Sequence, residues 1–215
     1  MASEDIAKIR KDYTLNTLNE DSVSADPIQQ FGVWWKEAES ASIEEVNAMT
    51  LATVDAAGVP EARTILLKGY DEKGFVFFTN YNSAKSIQLD AHPTCSLLFF
   101  WKELERQVRI TGIAERISTE ESIHYFDSRP EGSKIGAWAS PQSTVVAGAA
   151  WLKETFQYYA ERFKHGKIPK PPHWGGYRIK PTKIEFWQGR PSRMHDRILY
   201  SNLIESTWKI ERLAP

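Results

Sequence analysis

The sequence predicts an α+β protein, an antiparallel β-barrel with helices on its periphery. Two observations carry this reading. Short runs of apolar, β-branched and aromatic residues recur at hairpin spacing, and stretches of helical spacing fall between them and near the ends. That alternation favours a barrel over a doubly wound parallel sheet.

Taken in order, the charged residues of the first segment alternate with Ile6, Ile9 and Tyr13. This loose helical spacing equally suits a flexible arm, and residues 1–20 are read as a mobile N-terminal arm. At Asp26-Pro27 a capping side chain precedes a proline suited to a first helical turn, and Ile28, Phe31, Trp34 and Trp35 form an apolar stripe. A helix is expected there. Three strand-like runs follow, MTLATV, RTILLK and FVFFTN, separated by the turn-forming stretches DAAGVP and YDEKG. A short helix is expected over 83–89 until His92-Pro93 stops it, and CSLLFFW and QVRITGIAERI resume strand patterning. Helical spacing returns over 119–126 and 147–163. A proline-rich connector over 168–172 leads to strands around Ile179, over 184–187 and over 198–200. The chain shows no internal repeat, and 215 residues fit a single domain over 1–215.

The 27 Lys and Arg nearly balance 28 Asp and Glu, which predicts no general attraction to nucleic acid or membrane surfaces. Apolar runs such as 97–101 are too short to span a bilayer, and the mixed-charge start lacks a signal-peptide core. A cytoplasmic protein is expected. Cys95 stands alone among strand residues and reads as a core position. No Walker loop, G-x-G-x-x-G turn, H-E-x-x-H helix or G-x-S-x-G elbow is present, which leaves no support for a metal site and little for a hydrolase.

Three clusters remain. Arg63 and Lys68 bracket RTILLK five positions apart, so strand alternation sends them to opposite faces. They serve either as solvated strand-end charges or as contacts to different ligands. Lys85 follows Thr79, Asn80 and Ser83 at a helix start, where a cation and backbone amides can hold a phosphate; helix capping alone also accounts for Ser83. In FDSRPEGSKIGAWASPQS, the donors Arg129, Ser133, Gln142 and Ser143, with Tyr125 just before, lie on what reads as a Gly- and Pro-rich loop. Such a loop suits phosphate and heterocycle recognition, or simple solvation. IEFWQGRPSRMHDR concentrates Trp187, Arg193, His195 and Arg197 past a strand end, either for a planar anionic ligand or as a salt-bridged turn with Asp196.

The segments RTILLKGYDEKGFVFFTN, LERQVRITG, SRPEGSKIGAWAS and FWQGRPSRMHDR, in this order and spacing, resemble the pyridoxine (pyridoxamine) 5′-phosphate oxidase family. The likeness runs from Arg10 to the terminal RLAP. It implies a flavin mononucleotide (FMN)-binding split β-barrel of six or more antiparallel strands, assembled as a homodimer with flavin at the subunit interface. By matching position it assigns Arg63, Thr64, Ile65, Leu66, Leu67, Lys68, Phe78, Thr79, Lys85 and Gln107 to the flavin, together with Gln142, Ser143, Trp187 and Arg197. Arg63 and Lys85 are implied to face the flavin phosphate and Gln107 the ring system. Lys68, Tyr125, Arg129 and Ser133 are implied to hold the substrate phosphate. Arg193 and His195, the implied catalytic pair, cover the pyridine ring with Met194 beside them, and Arg10 and Tyr13 close the entrance. Ala84 departs from the pattern, since family members often carry a basic residue there, and its presence implies weaker flavin phosphate binding. The implied reaction removes two hydrogens from the 4′ carbon of pyridoxine or pyridoxamine 5′-phosphate. Hydride passes to FMN and dioxygen reoxidises it to give hydrogen peroxide. Two other readings stand beside this one. One is a split-barrel flavin reductase with another substrate, against which Arg129, Arg193 and His195 argue. The other is a non-catalytic flavin or pyridoxal phosphate carrier, which would release no peroxide.

Overall fold

The computed structural model describes Lys8, residues 11–204 and residues 207–215. In chain order the elements are α1 (Pro27–Ser40), β1 (Ala48–Val54), β2 (Pro60–Leu66), β3 (Gly69–Asp71), β4 (Gly74–Asn80), α2 (Ala84–Ala91), β5 (Thr94–Trp101) and β6 (Arg106–Arg116). After these come α3 (Thr119–Ser128), α4 (Glu131–Ala139), α5 (Ala149–Phe163), β7 (Trp174–Gln188), β8 (Asp196–Ile204) and β9 (Thr207–Arg212). Strands neighbour one another in the order β2-β1-β5-β6-β7-β4-β3, with β8 on β7 and β9 on β8. The pairs β3/β4, β4/β7, β7/β8 and β8/β9 are antiparallel. The α+β class expected from hairpin spacing is what folds.

Contacts group the chain into two compact units. The first holds Met1–Thr50, Ser96–Thr111 and Pro181–Pro215. Its helix α1 starts as the sequence dictates: Asp26 accepts from the amides of Ile28 and Gln29 at 2.6 and 3.1 Å, with Pro27 in the first turn. The apolar stripe buries Phe31, Trp34 and Ala38. Phe31 meets Phe99 with ring centroids 5.2 Å apart, and Trp34 meets Phe186 edge-on at 5.2 Å. Leu97, Val108, Ile110, Ile184 and Ile198 complete this core.

The second unit holds Leu51–Cys95 and Gly112–Lys180. Phe75, Phe77, Leu89, Tyr177 and Ile179 are buried there, as is Cys95, whose thiol burial pushes up to about 12. A satellite cluster of Phe126, Ile135, Ile168 and Trp174 carries the face of α3 and α4.

Three expectations change. The donor-rich stretch read as a loop contains helix α4, because the Pro130 carbonyl accepts from the amides of Ser133 and Lys134 and the i, i+4 pair Ile135 and Ala139 is buried. Gly132 and Gly136 hid that periodicity. The strands around Ile179 and over 184–187 are one strand, β7, in which Pro181 falls between the part paired with β4 and the part paired with β8. Strand β9 went unread. Of the helical reading over 6–13, residues 11–13 are described and are not helical, while residues 6, 7, 9 and 10 lie outside the described residues.

Candidate functional site

In the second unit a cavity of about 820 Å³ opens among β2, β4, α2, α3 and α4. The cations Arg63, Lys68, Lys85 and Arg129 line it, with Glu61 as the one carboxylate among the lining residues. Arg63, on β2, is held from several sides. Its Nη1 donates to the Thr53 hydroxyl and to the carbonyls of Glu61 and Leu51 at 3.2 and 3.4 Å; Nη2 donates to Glu61 Oε2 at 2.8 Å and Gln88 Oε1 at 3.2 Å. Lys85, in the first turn of α2, buries its ammonium among neutral acceptors: Gln142 Oε1 at 3.1 Å, and Thr79 Oγ1 and Ser83 Oγ at 3.3 Å. Burial, and then the charge of Arg63, lower its pKa. Ser83 makes no side-chain cap, so capping does not account for it.

A flat aromatic layer forms the opposite part of the cavity. Phe78 stacks on Tyr125 at 3.9 Å and 15°, and on Trp174 at 5.3 Å and 9°. The Arg129 guanidinium lies over Trp174, 4.7 Å from the ring centroid. Its Nη1 is buried with no hydrogen-bond partner, and burial lowers the pKa of the group while Tyr125 opposes the shift. A buried guanidinium nitrogen without an acceptor is rare in folded chains and marks a place for an anion.

Of the residues the resemblance assigned, Arg63, Thr64, Ile65, Leu66, Lys68, Phe78 and Thr79 line this cavity. Lys85, Tyr125, Arg129, Ser133, Gln142 and Ser143 line it as well. Leu67 does not: it is buried at 4% exposure and takes no part in the lining. Arg63 and Lys68, expected from strand alternation to face opposite ways, both line the cavity, because β2 ends at Leu66 and Lys68 lies beyond it. Asn80, read with the Lys85 cluster, also lines the cavity, as do Glu61 and Trp174, which were missed. Of these two, only Trp174 carried a sequence signal, a large aromatic just past the proline-rich connector.

The remaining assigned residues that are described belong to the first unit, where Tyr13, Trp187 and His195 come together. Trp187 on β7 packs against His195 at 4.6 Å, and Tyr13 meets both rings at 5.8 and 6.0 Å. Tyr13 also covers Gly189, where a Cβ would come within 2.7 Å of its ring. The chain around Tyr13 is tied down by Glu105, whose Oε2 accepts from the amides of Thr14 and Leu15 at 2.8 and 3.2 Å, and by Lys11, 3.1 Å from Oε1. Burial pushes the Glu105 carboxyl up, but these donors outweigh it and hold its pKa below the ordinary value. Arg197, opposite Trp187 in the β7/β8 register, donates from Nε to the buried Glu185 at 2.8 Å and from Nη1 to the Ala214 carbonyl at 2.8 Å. Gln107 is half-buried on β6; Arg193 and Met194 are exposed. Arg193 adopts a left-handed conformation at φ 61°. Arg10 lies outside the described residues.

The His195 Nδ1 accepts from the Arg190 amide at 3.1 Å, so the neutral ring carries its proton on Nε2. Burial first, and then the Arg193 charge, lower its pKa, with Asp196 opposing. This histidine is expected to titrate below the ordinary 6.5, and Arg193→Ala is expected to move its midpoint upward. Histidine ring NMR across the acid range checks both shifts. The bond from Arg190 and its share of stability are held above the ordinary histidine pKa and are lost as pH falls through the lowered value.

Residues 35–163 match the family model described as pyridoxamine 5′-phosphate oxidase, and residues 174–215 match the pyridoxine 5′-phosphate oxidase C-terminal dimerisation region. The pyridoxine/pyridoxamine 5′-phosphate oxidase of Nostoc punctiforme is 52% identical over 210 residues, covering 98% of each chain. The protein of the same name from Cupriavidus pinatubonensis is 53% identical over 210 residues, covering 98% of this chain and 99% of its own. Among solved structures, PhzG from Burkholderia lata, in complex with tetrahydrophenazine-1-carboxylic acid, aligns with a TM-score of 0.88 at 27% identity, covering 94% of this chain and 99% of that one. A pyridoxamine 5′-phosphate oxidase-related, FMN binding protein from Nostoc punctiforme aligns with a TM-score of 0.70 at 18% identity, over 90% of this chain and 100% of that one. The split-barrel fold class is borne out by these likenesses.

Proposed function

Because the chain belongs to the pyridoxamine 5′-phosphate oxidase family, we propose that it oxidises pyridoxine and pyridoxamine 5′-phosphates to pyridoxal 5′-phosphate, with FMN as cofactor and dioxygen as electron acceptor. The observation that carries this reading is the 820 Å³ cavity, which sets buried cations beside a flat aromatic layer. The residues fit FMN: the Lys85 ammonium is desolvated on three neutral acceptors, the environment an anionic phosphate would complete. Bound FMN supplies the hydride acceptor that no side chain can provide.

The chain's own contribution is placement and charge. Arg63, Lys85, Thr79, Gln142 and Ser143 hold the flavin in the cavity; Gln107, Trp187 and Arg197 are further flavin contacts implied by the family resemblance. Lys68, Tyr125, Arg129 and Ser133 take the substrate phosphate, with the unpartnered Arg129 Nη1 as its anchor. Arg193 and His195 cover the substrate ring and fix its 4′ carbon for hydride loss, and Tyr13 shields them from water. The substrate loses a hydride and a proton, dioxygen takes up both electrons as hydrogen peroxide, and water releases ammonia from the amine substrate. The match of residues 174–215 to a dimerisation region supports a homodimer in which both copies complete the flavin site.

Peroxide release by the purified, FMN-loaded protein tests the proposal. Turnover is expected with the two phosphorylated substrates and not with unphosphorylated pyridoxine. A yellow protein releasing no peroxide would turn the reading toward a carrier. Equal turnover of unphosphorylated pyridoxine would remove Arg129 from the phosphate site.

A further inference from the structure

We propose that Glu61 competes with the flavin phosphate for Arg63 and thereby sets how tightly this chain holds FMN; the inference rests on the FMN reading above. A guanidinium has five N–H groups, two on each Nη and one on Nε. In Arg63 the two on Nη1 are shared among the Thr53 hydroxyl and the carbonyls of Leu51 and Glu61, and the two on Nη2 go to Gln88 and the Glu61 carboxylate. Both terminal nitrogens of the fork are therefore spoken for inside the protein. A phosphate can take Nη2 in a charge-assisted bond only where Glu61 gives it up.

The surroundings make Glu61 the partner that yields. Thr53 and Gln88 are buried at 1% and 6% exposure, and Thr53 also donates to Gln88, so these acceptors are fixed to one another. The Glu61 side chain is 46% exposed and reaches Arg63 from two residues away on the same strand. An exposed ion pair of this kind is weak and swings into solvent at little cost. It nevertheless places a negative charge against the cation that would receive a dianion. Among the lining residues Glu61 is the one carboxylate, and its charge offsets one of two neighbouring cations, Arg63 and Lys85. Ala84 adds no further cation between them. A neutral side chain at position 61 leaves Nη2 available and removes the repulsion.

The test is titration of the apo-protein with FMN, followed by flavin fluorescence, for the parent, Glu61→Gln and Glu61→Ala, with riboflavin as the probe lacking a phosphate. Both variants are expected to bind FMN about three- to tenfold more tightly, with riboflavin affinity unchanged. Raising the salt concentration should narrow the gap between parent and variants. Unchanged or weaker FMN binding in both variants overturns the proposal, the weaker case making Glu61 a support that positions Arg63. Equal tightening of FMN and riboflavin also overturns it, because the effect would then not involve the phosphate. A parent chain that binds neither flavin overturns the FMN reading itself, a result distinct from the other three.

Discussion

Arg129→Ala is expected to raise the KM for pyridoxine 5′-phosphate by about ten- to a hundredfold while kcat stays within a few-fold of the parent. A hydrogen bond to a charged group is worth about 1.5–3 kcal/mol, and each 1.4 kcal/mol is a factor of ten. On the proposed assignment the contact is to a phosphate distant from the reacting carbon, so it would be present in ground and transition states alike, and its loss would fall mainly on binding. Two features of the free protein make the effect readable. The Arg129 Nη1 has no partner to abandon, so truncation breaks no hydrogen bond at that nitrogen. What is lost is the packing of the guanidinium over Trp174, a contact worth about 0.5–2 kcal/mol that thermal denaturation measures separately. Arg129→Lys keeps the charge but not the fork, and should fall between parent and alanine. Steady-state kinetics on the three proteins decide the matter: a large drop in kcat with KM unchanged would move Arg129 from the phosphate to the reacting end.

Lys85→Met is expected to weaken FMN binding by about ten- to a hundredfold without lowering the thermal stability of the apo-protein. The affinity loss follows from removing a charge-assisted contact to the flavin phosphate. The stability expectation follows from burial. The ammonium is withdrawn from water, with Arg63 nearby and only neutral acceptors around it, which is why its pKa is lowered. Methionine fills similar volume without that desolvation. Fluorescence titration gives the first quantity and differential scanning calorimetry of the apo-protein the second. Retained FMN affinity would place Lys85 outside the site.

The parts of the fold legible in the sequence are those whose cause is local. Helix α1 announces itself because Asp26, Pro27 and the Phe31/Trp34 stripe lie within three turns. The hairpin strands β1, β2 and β4 do so because turn formers separate them. Helix α4 is hidden because Pro130, Gly132 and Gly136 carry the composition of a loop while only Ile135 and Ala139 mark the buried face. Leu67 belongs to the same motif as Arg63 and Lys68 but is buried at 4% exposure, outside the cavity lining. Glu61 and Glu105 gave no signal, because a glutamate's role depends on which donors the fold brings to it. For Glu105 those donors lie 90 and 91 residues away.

Glu105 caps the 3-10 turn Lys102–Leu104 in the left-handed region, at φ 56° and ψ 40°. A side chain there costs roughly 1–2 kcal/mol that glycine would avoid. The carbonyl of the same residue accepts from the Gly189 amide at 2.7 Å, and its carboxylate accepts from the amides of Thr14 and Leu15 and pairs with Lys11. Turn, strand end and arm therefore share one anchor. Detaching the arm strands a buried carboxylate on an already strained backbone, so residues 11–15 let go together, as a cooperative step, and do not fray one at a time. Since the docked carboxyl sits below its ordinary pKa, that release takes up a proton: the anchorage is full above the ordinary glutamate value and fades as pH falls through the lowered one. Acid is therefore expected to loosen residues 11–15, and with them the Tyr13 ring that meets His195, by protonating a carboxylate some ninety residues away in sequence.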